Sequence, residues 1–589
     1  MNIPRPEYPR PQFERGDWLN LNGEWSYCFD FGGSGAERGF RESKGFDGRI
    51  MVPFCPESKL SGIAHTDFID MMWYHRQITI PAEWSGKLIL LHFGGVDYEC
   101  RVYLDGKEVA RHVGGVSPFA VNLTDHVQPG ETCNLVLEVR DDMRDGDQAF
   151  GKQSPHFKSA GCFYTRTTGI WQTVWLEAAA PQGLDRCRIV ADFDRGAFVF
   201  TPVFHGLKQG NIFKVKVLAK GELVAEAAMP CANGIPLTVD IPEAVAWEPD
   251  HPFLYDIVYE VCDEGGQVID TVKSYAGMRK IHIEGDRMFL NNRPLFVRFV
   301  LDQGFYEEGI WTAPDDAVLK RDIELSMAAG FNGARLHQKI FEERFHYWAD
   351  RLGYLTWAEF PDWGIGFWRY YSNGPLNYYP GILNYMAEWR TVVERDLNHP
   401  SIIAWTPLNE TARYMDLAEH RRFVGDIYDL TRSVDPTRPV NDSSGYIHTK
   451  TDLWTVHHYP QKAEELLVKP DSQPVYATAP DVELSAYRGQ PYIIDEYGGV
   501  KYVPENRKEY ADNSWGYGAP PADAVEAFGR IRDLTAALVA MPTLSGYCYT
   551  QLTDVEQEQN GIYNYDRTPK FDMDAIRKVF ADKPDWSAY

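Results

Sequence analysis

Two glutamates in this chain stand where a pair of carboxyl groups could act on one bond. Glu410 follows the apolar run Ile403-Ala404-Trp405-Thr406-Pro407-Leu408-Asn409, and Glu496 ends a second run, Ile493-Ile494-Asp495. Each run reads as a short strand, so both glutamates point toward one rim. Two carboxyls held about 5 Å apart can open a glycosidic bond with retention, one protonating the departing oxygen while the other attacks the anomeric carbon. Asn409 can donate its amide to a sugar 2-hydroxyl, a contact that strengthens as positive charge develops on the ring; the alternative is a loop cap. Arg335, in Gly333-Ala334-Arg335-Leu336-His337, can hold one carboxylate ionised through a charge-assisted bond. His337 faces the same side two residues later, as a sugar ligand or as a structural histidine.

Those residues need a frame, and the chain supplies one in three parts. From Trp18 to about Glu177, short alternating runs such as Lys87-Leu88-Ile89-Leu90-Leu91-His92-Phe93 are broken by Asp105-Gly106 and Pro129-Gly130, the pattern of an antiparallel sandwich. A second strand-rich stretch, about 184 to 277, has the size of an immunoglobulin-like sandwich. After Gly277, helical stretches such as Asp315 to Gly330 alternate with brief apolar strands, which predicts a (β/α)8 TIM barrel carrying its chemistry at the strand ends. The expected domains are 1–182, jelly-roll and sugar-binding-like; 183–279, immunoglobulin-like; and 280–589, catalytic.

Composition narrows the partners. With 59 Lys and Arg against 84 Asp and Glu, the net charge of −25 disfavours nucleic acid and anionic membranes. The first residues carry no secretory pattern, and no apolar run reaches membrane-spanning length, so a soluble cytoplasmic protein is expected. Nine cysteines, odd in number and without a Cys-x-x-Cys pair, argue against disulfides and zinc. The carboxyl chemistry needs no metal, and no cofactor is predicted.

The motifs Asn398-His399-Pro400-Ser401-Ile402-Ile403, Asn409-Glu410 and Asp495-Glu496-Tyr497-Gly498 together resemble glycoside hydrolase family 2, the β-galactosidase, β-glucuronidase and β-mannosidase family. Gly169-Ile170-Trp171-Gln172-Thr173-Val174-Trp175-Leu176-Glu177 resembles the end of that family's sugar-binding sandwich, and Gly330-Phe331-Asn332-Gly333-Ala334-Arg335-Leu336-His337 its second barrel strand. The resemblance implies Glu410 as acid/base and Glu496 as nucleophile. It also implies that Tyr459, in His457-His458-Tyr459-Pro460, contacts the nucleophile, with His458 a sugar ligand; regular strand alternation lets only one of the two histidines face the pocket. Tyr549 stands at the eighth-strand place where the family often has a Trp, as a stacking platform or as wall packing.

Two departures bear on substrate. Where family glucuronidases place Asn-x-Lys for the uronate carboxylate, this chain has Glu558-Gln559-Asn560, which would repel an anion unless a basic residue arrives from elsewhere or Glu558 faces solvent. Asp302-Gln303-Gly304 replaces the Asn-Arg-His-like run of many galactosidases, so Asp302 and the loop to Pro314, with Tyr306 and Trp311, are expected to shape the pocket. Trp363, Trp368, Tyr370 and Tyr371 are expected to form an aglycone platform, and the loop Lys152 to Tyr164 to reach the site from the first sandwich. The expected activity is a retaining exo-β-glycosidase, with a β-galactoside as first substrate and a β-glucuronide, β-galacturonide or other β-glycoside as the alternative. A non-catalytic carbohydrate-binding protein is the rival class. A carbohydrate is the expected partner, and a homo-oligomer stays open.

Overall fold

The computed structural model describes residues 3–144, 147–365, 378–410, 417–445, 447–466, 485–505, 507 and 513–586. Two antiparallel sheets come first. One orders Trp18–Asn20, Val174–Ala179, Leu88–Phe93 and Phe119–Asn122 side by side; the other holds six strands, with Met71–Thr79 and Thr132–Arg140 at its centre. Alternation explains the layering. In Thr132–Arg140, Leu135, Leu137 and Val139 enter a core with Trp25, Leu91, Phe93 and Leu176, while Glu138 between them accepts a bond from Tyr103.

Seven further strands form the second sandwich, three in one sheet and four in the other. Phe213, Val215 and Val217 point inward, whereas Lys216 on the opposite face pairs with Glu260 at 2.6 Å. Arg15 is buried where the sandwiches meet, bonded to Glu177 of the first at 2.7 Å and to Asp270 of the second at 2.9 Å. Removing either partner would strand a buried charge, so this triad pins their relative placement.

The C-terminal region is a parallel barrel sheet. Seven strands run in the order Ile402–Thr406, Leu355–Glu359, Gly333–Leu336, Val297–Asp302, Leu544–Thr550, Tyr492–Gly498, Trp454–His457. The fifth place is filled by the irregular segment 439–445, bridged in parallel to the fourth strand through Trp405 with Val440 and Asn409 with Ser444. Phe299, Leu301, Trp357, Ile403, Ile493 and Cys548 fill the interior, and a three-stranded meander over Ile281–Leu295 contributes Ile281, Met288 and Leu290 to the same core, closing the bottom. The residues that face one another as a polar cluster, Arg335, Glu359, Asn409, His457 and Glu496, lie at the opposite, C-terminal rim. Among the described residues, no helix is long and apolar enough to cross a membrane.

The motif at 398–401 is structural. Asn398 accepts from Ile189 N and donates to Cys187 O of the second sandwich, while His399 and Ser401 bond Asp350 on helix Glu343–Leu352. The expected pocket loop 302–314 is also a joint. Thr312 donates to Trp171 O at 2.6 Å, and Trp311 stacks edge-on against Trp171 of the first sandwich, both rings buried. Tyr306 lies against Arg567.

Candidate active site

Arg335 organises the rim. Its strand places it inside the barrel with no exposed surface, and its fork reaches Glu359 at 2.6 Å, Glu496 at 2.9 Å and the Asn409 side-chain oxygen at 2.7 Å. It also meets the Asp495 carbonyl at 3.1 Å and His337 Nδ1 at 3.2 Å. A planar guanidinium matches so many oxygens where an ammonium would not. Glu359, which sequence reasoning passed over although it ends the third strand, also holds His337 Nδ1 at 2.8 Å. Burial depresses the His337 pKa well below its usual value, so its ring is neutral and helps fix Glu359.

Glu496 receives two bonds. Arg335 donates to Oε1 and the Tyr459 hydroxyl to Oε2 at 2.5 Å; Tyr459 is itself stacked on Tyr517, with ring centres 3.4 Å apart. Burial would raise the Glu496 pKa, yet His457 and then Arg335 outweigh it, and the carboxyl lies below its ordinary value. It is therefore an anion at neutral pH.

Glu410 approaches from the fourth strand. A carboxylate oxygen of Glu410, one of Glu496 and a His457 nitrogen all lie within 4.8 Å of one another. His457 Nδ1 is 2.7 Å from Glu410 Oε1 and 3.4 Å from Glu496 Oε2. Two carboxylates and an imidazole are suitable donors for a divalent ion, but to ligate one they would first break these mutual hydrogen bonds. The Glu410 side chain is 19% exposed against 6% for Glu496, so the site opens on the Glu410 side. Its backbone is left-handed, φ 53°, which turns the chain sharply out of the strand. The Asn409 amide nitrogen is buried with no hydrogen-bond partner among the described residues, a donor in want of an acceptor.

Of the two histidines, His457 faces the pocket. Leu453 and Val456 fix the phase, the first in the barrel core and the second toward the helices, so His458 is turned outward and meets the Glu465 carbonyl at 2.9 Å. The expected sugar contact from His458 is thus corrected. A register shift between Ile494 and Tyr497 does the opposite work, letting consecutive Asp495 and Glu496 both turn inward.

Two further expectations fail for the same reason of phase. Tyr549 packs against Tyr497 and Phe580 in the layer between strand and helix, so it is wall; Thr550 bonds Tyr459 in the site instead. Asp302 points away from the pocket, among Asp322, Arg567 and Lys339, and burial raises its pKa to about 6. Its neighbour Gln303 joins the site's wall through Gln551.

The first sandwich lends its loop. Phe150 and Gly151 donate to the Trp363 carbonyl at 2.7 and 3.1 Å, and Gly151 has φ 62° with its missing Cβ only 2.5 Å from the Gln338 carbonyl. That close approach sets Lys152 with its ammonium 4.1 Å above the Trp363 ring. Lys152 is buried, and the carboxylates Glu558, Glu496 and Glu410 help keep it cationic against the cost of burial. Tyr164 donates to Glu558 Oε2, and Asn560 donates to Oε1 at 3.0 Å. Glu558 is therefore buried and bonded, not facing solvent, and burial raises its pKa. Asn560 continues to Gln551 at 2.8 Å. Trp363 holds the Asn409 carbonyl at 3.2 Å; Trp368, Tyr370 and Tyr371 lie outside the described residues.

Comparisons with known proteins agree with this architecture. The profile described as "Glycosyl hydrolases family 2, TIM barrel domain" matches residues 281–583, that of "Glycosyl hydrolases family 2" matches 207–279, and the sugar binding domain of the same family matches 63–176. A β-glucuronidase from Paenibacillus borealis is 25% identical over 439 residues, 72% of each chain. A β-galactosidase from Thermoanaerobacter pseudethanolicus is 23% identical over 84% of this chain and 64% of its own. The solved structure of a Ruminococcus gnavus β-glucuronidase superimposes with a TM-score of 0.79 at 19% identity, covering 99% of this chain and all of the other.

Proposed function

The chain belongs to glycosyl hydrolase family 2, and from that premise we propose that it is a retaining exo-β-glycosidase in which Glu496 is the nucleophile and Glu410 the acid/base. The approach of the two carboxylates to within 4.8 Å carries this reading, because an inverting pair needs room for a water between them. The division of labour follows from environment. Glu496 is held ionised by Arg335 and Tyr459, as attack demands, while Glu410 lies on the open side where a leaving group departs.

In the first step Glu496 attacks the anomeric carbon as Glu410 protonates the leaving oxygen. In the second, Glu410 takes a proton from water, whose oxygen displaces Glu496. The unsatisfied Asn409 amide supports a bond to the sugar 2-hydroxyl. Turnover of nitrophenyl β-glycosides tests the roles. Glu496→Ala should abolish it, and azide should rescue Glu410→Ala to give the β-glycosyl azide; an α-azide from Glu410→Ala would reverse the assignment.

For the sugar, the relatives named β-glucuronidase support the alternative expected from sequence over the β-galactoside put first. Lys152 is the physical support for a uronide: it is the basic residue from elsewhere that the missing Asn-x-Lys lysine called for. A uronate meeting this cation in a partly desolvated pocket gains on the order of 1–3 kcal/mol. Lys152→Met should then lower kcat/KM for a β-glucuronide or β-galacturonide by roughly ten- to a hundredfold relative to the neutral glycoside. A neutral glycone is the second reading, favoured by the Glu558 carboxylate on the same wall. Under it, Glu558→Gln improves the uronide and Lys152→Met leaves the ratio unchanged.

A further inference from the structure

His457 ends its strand inside the barrel with a side chain 1% exposed, and both ring nitrogens are engaged. Nε2 lies 2.8 Å from Ser444 Oγ, and Nδ1 lies 2.7 Å from Glu410 Oε1. Ser444 has a single hydroxyl proton, which goes to Asp495 Oδ2 at 2.5 Å. Its oxygen must therefore receive a hydrogen from Nε2, and this fixes Nε2 as a donor. A neutral ring would then present a bare Nδ1 to Glu410. Facing an ionised carboxylate at 2.7 Å, that would be lone pair against lone pair, so one proton lies on this line, on the carboxyl or on the ring.

We propose that Glu410 and His457 hold the catalytic proton jointly, His457 being a positioning residue that stores it on Nδ1 and Glu410 the group that delivers it. This rests on the acid/base reading of Glu410. In the first step the pair loses its one proton to the departing oxygen, leaving a carboxylate beside a neutral ring. In the second, water returns a proton to the pair as its oxygen bonds the anomeric carbon and the ester to Glu496 breaks.

The groups around that proton favour the arrangement. Glu496 and Asp495 face the ring from the seventh strand, and Arg335 and His337 come from the second. Lys152 and Cys162 lie on the sandwich loop, with Tyr517 beyond Tyr459 and Glu558 on the eighth-strand loop. Burial opposes charge on the ring, yet Glu496, Asp495 and Glu410 together raise the His457 pKa above its ordinary value. A proton shared with such a ring survives to higher pH than one on a carboxyl alone.

His457→Asn tests this through the pH profile of kcat/KM. Imidazole and carboxyl references differ by about two units, so the alkaline limb should fall by at least about one unit toward the carboxylate range. The loss should be greatest for aryl glycosides with poor leaving groups. An unmoved limb with equal loss for every leaving group overturns the proposal. A second measurement needs no turnover: with isotope-labelled histidine, Glu410→Gln should move the His457 titration to lower pH, and an unchanged titration overturns the shared proton. If the titration moves but wild-type protein cleaves no β-glycoside, the pair stands and the glycosidase reading falls. If hydrolysis proceeds and neither readout moves, the pair falls alone.

Discussion

Replacing Arg335 with Gln removes a cation whose fork meets Glu359 and Glu496 together, and leaves both carboxyls buried. The exposures are 0% for the Arg335 side chain, 0% for Glu359 and 6% for Glu496, so solvent does little to rescue them. Unpairing a buried charge in this way costs about 3–5 kcal/mol. That cost should depend on pH with a definite sign. In the wild type Glu496 titrates lower folded than unfolded, so its contribution to stability is present above the unfolded value and is lost as pH falls through the folded one. In Arg335→Gln burial prevails over His457, and the folded value rises above the unfolded one. Stability then falls as pH rises between those two values. The deficit against wild type should be smaller at about pH 5 than at about pH 8 in urea unfolding. The acid limb of kcat/KM should move up by about 1–3 units, the usual effect of one adjacent cation on a carboxylate. A variant less than about 1 kcal/mol weaker, with an unmoved acid limb, would show that Arg335 does not hold Glu496 ionised.

Tyr459→Phe removes the hydroxyl from Glu496 Oε2 while keeping the ring on Tyr517, and a bond to a charged group is worth about 1.5–3 kcal/mol. The expected result is a fall of roughly ten- to a hundredfold in kcat/KM, with a loss of thermal stability smaller than that of Arg335→Gln; full activity would mean that Arg335 suffices. Glu410 carries φ 53°, a conformation that costs an L-residue about 1 kcal/mol or more, so Glu410→Gly should be inactive yet more stable than Glu410→Ala. Equal melting temperatures for the two would argue against strain at this position.

The strands were legible because a barrel interior demands short apolar runs: those that begin at Ile403 and Ile493 form the strands Ile402–Thr406 and Tyr492–Gly498. The carboxylate pair was legible because its motifs sit at those ends. The phase of each strand was not. Whether His457 or His458 faces inward depends on which side of the sheet Leu453 takes, and the inward turn of both Asp495 and Glu496 depends on a register shift that no local pattern announces. The resemblance to the family offered Tyr549 as platform or wall and Asp302 as a pocket residue, and each lies on the helix-facing side. Lys152 lay beyond strand reasoning altogether, since its position is set by another domain.

That last dependence has a physical chain behind it. Glu359, bonded to Arg335, also accepts the backbone N–H of Gln338 at 3.1 Å, and the Gln338 side chain holds Asp362 at 2.5 Å. Asp362 in turn accepts the Asn409 N–H at 3.0 Å, so one network fixes Arg335, Asn409 and the backbone at 338. The Gln338 carbonyl is the surface on which Gly151 rests, closely enough that any side chain there would collide. The residue after that glycine is Lys152, and the far end of the same loop is Tyr164, bonded to Glu558. The barrel alone would thus keep its two carboxylates but lose the cation and the phenol from the far wall. Sandwich and barrel together make one site, with Glu410 and Glu496 on the barrel and Lys152 and Tyr164 supplied by the sandwich loop.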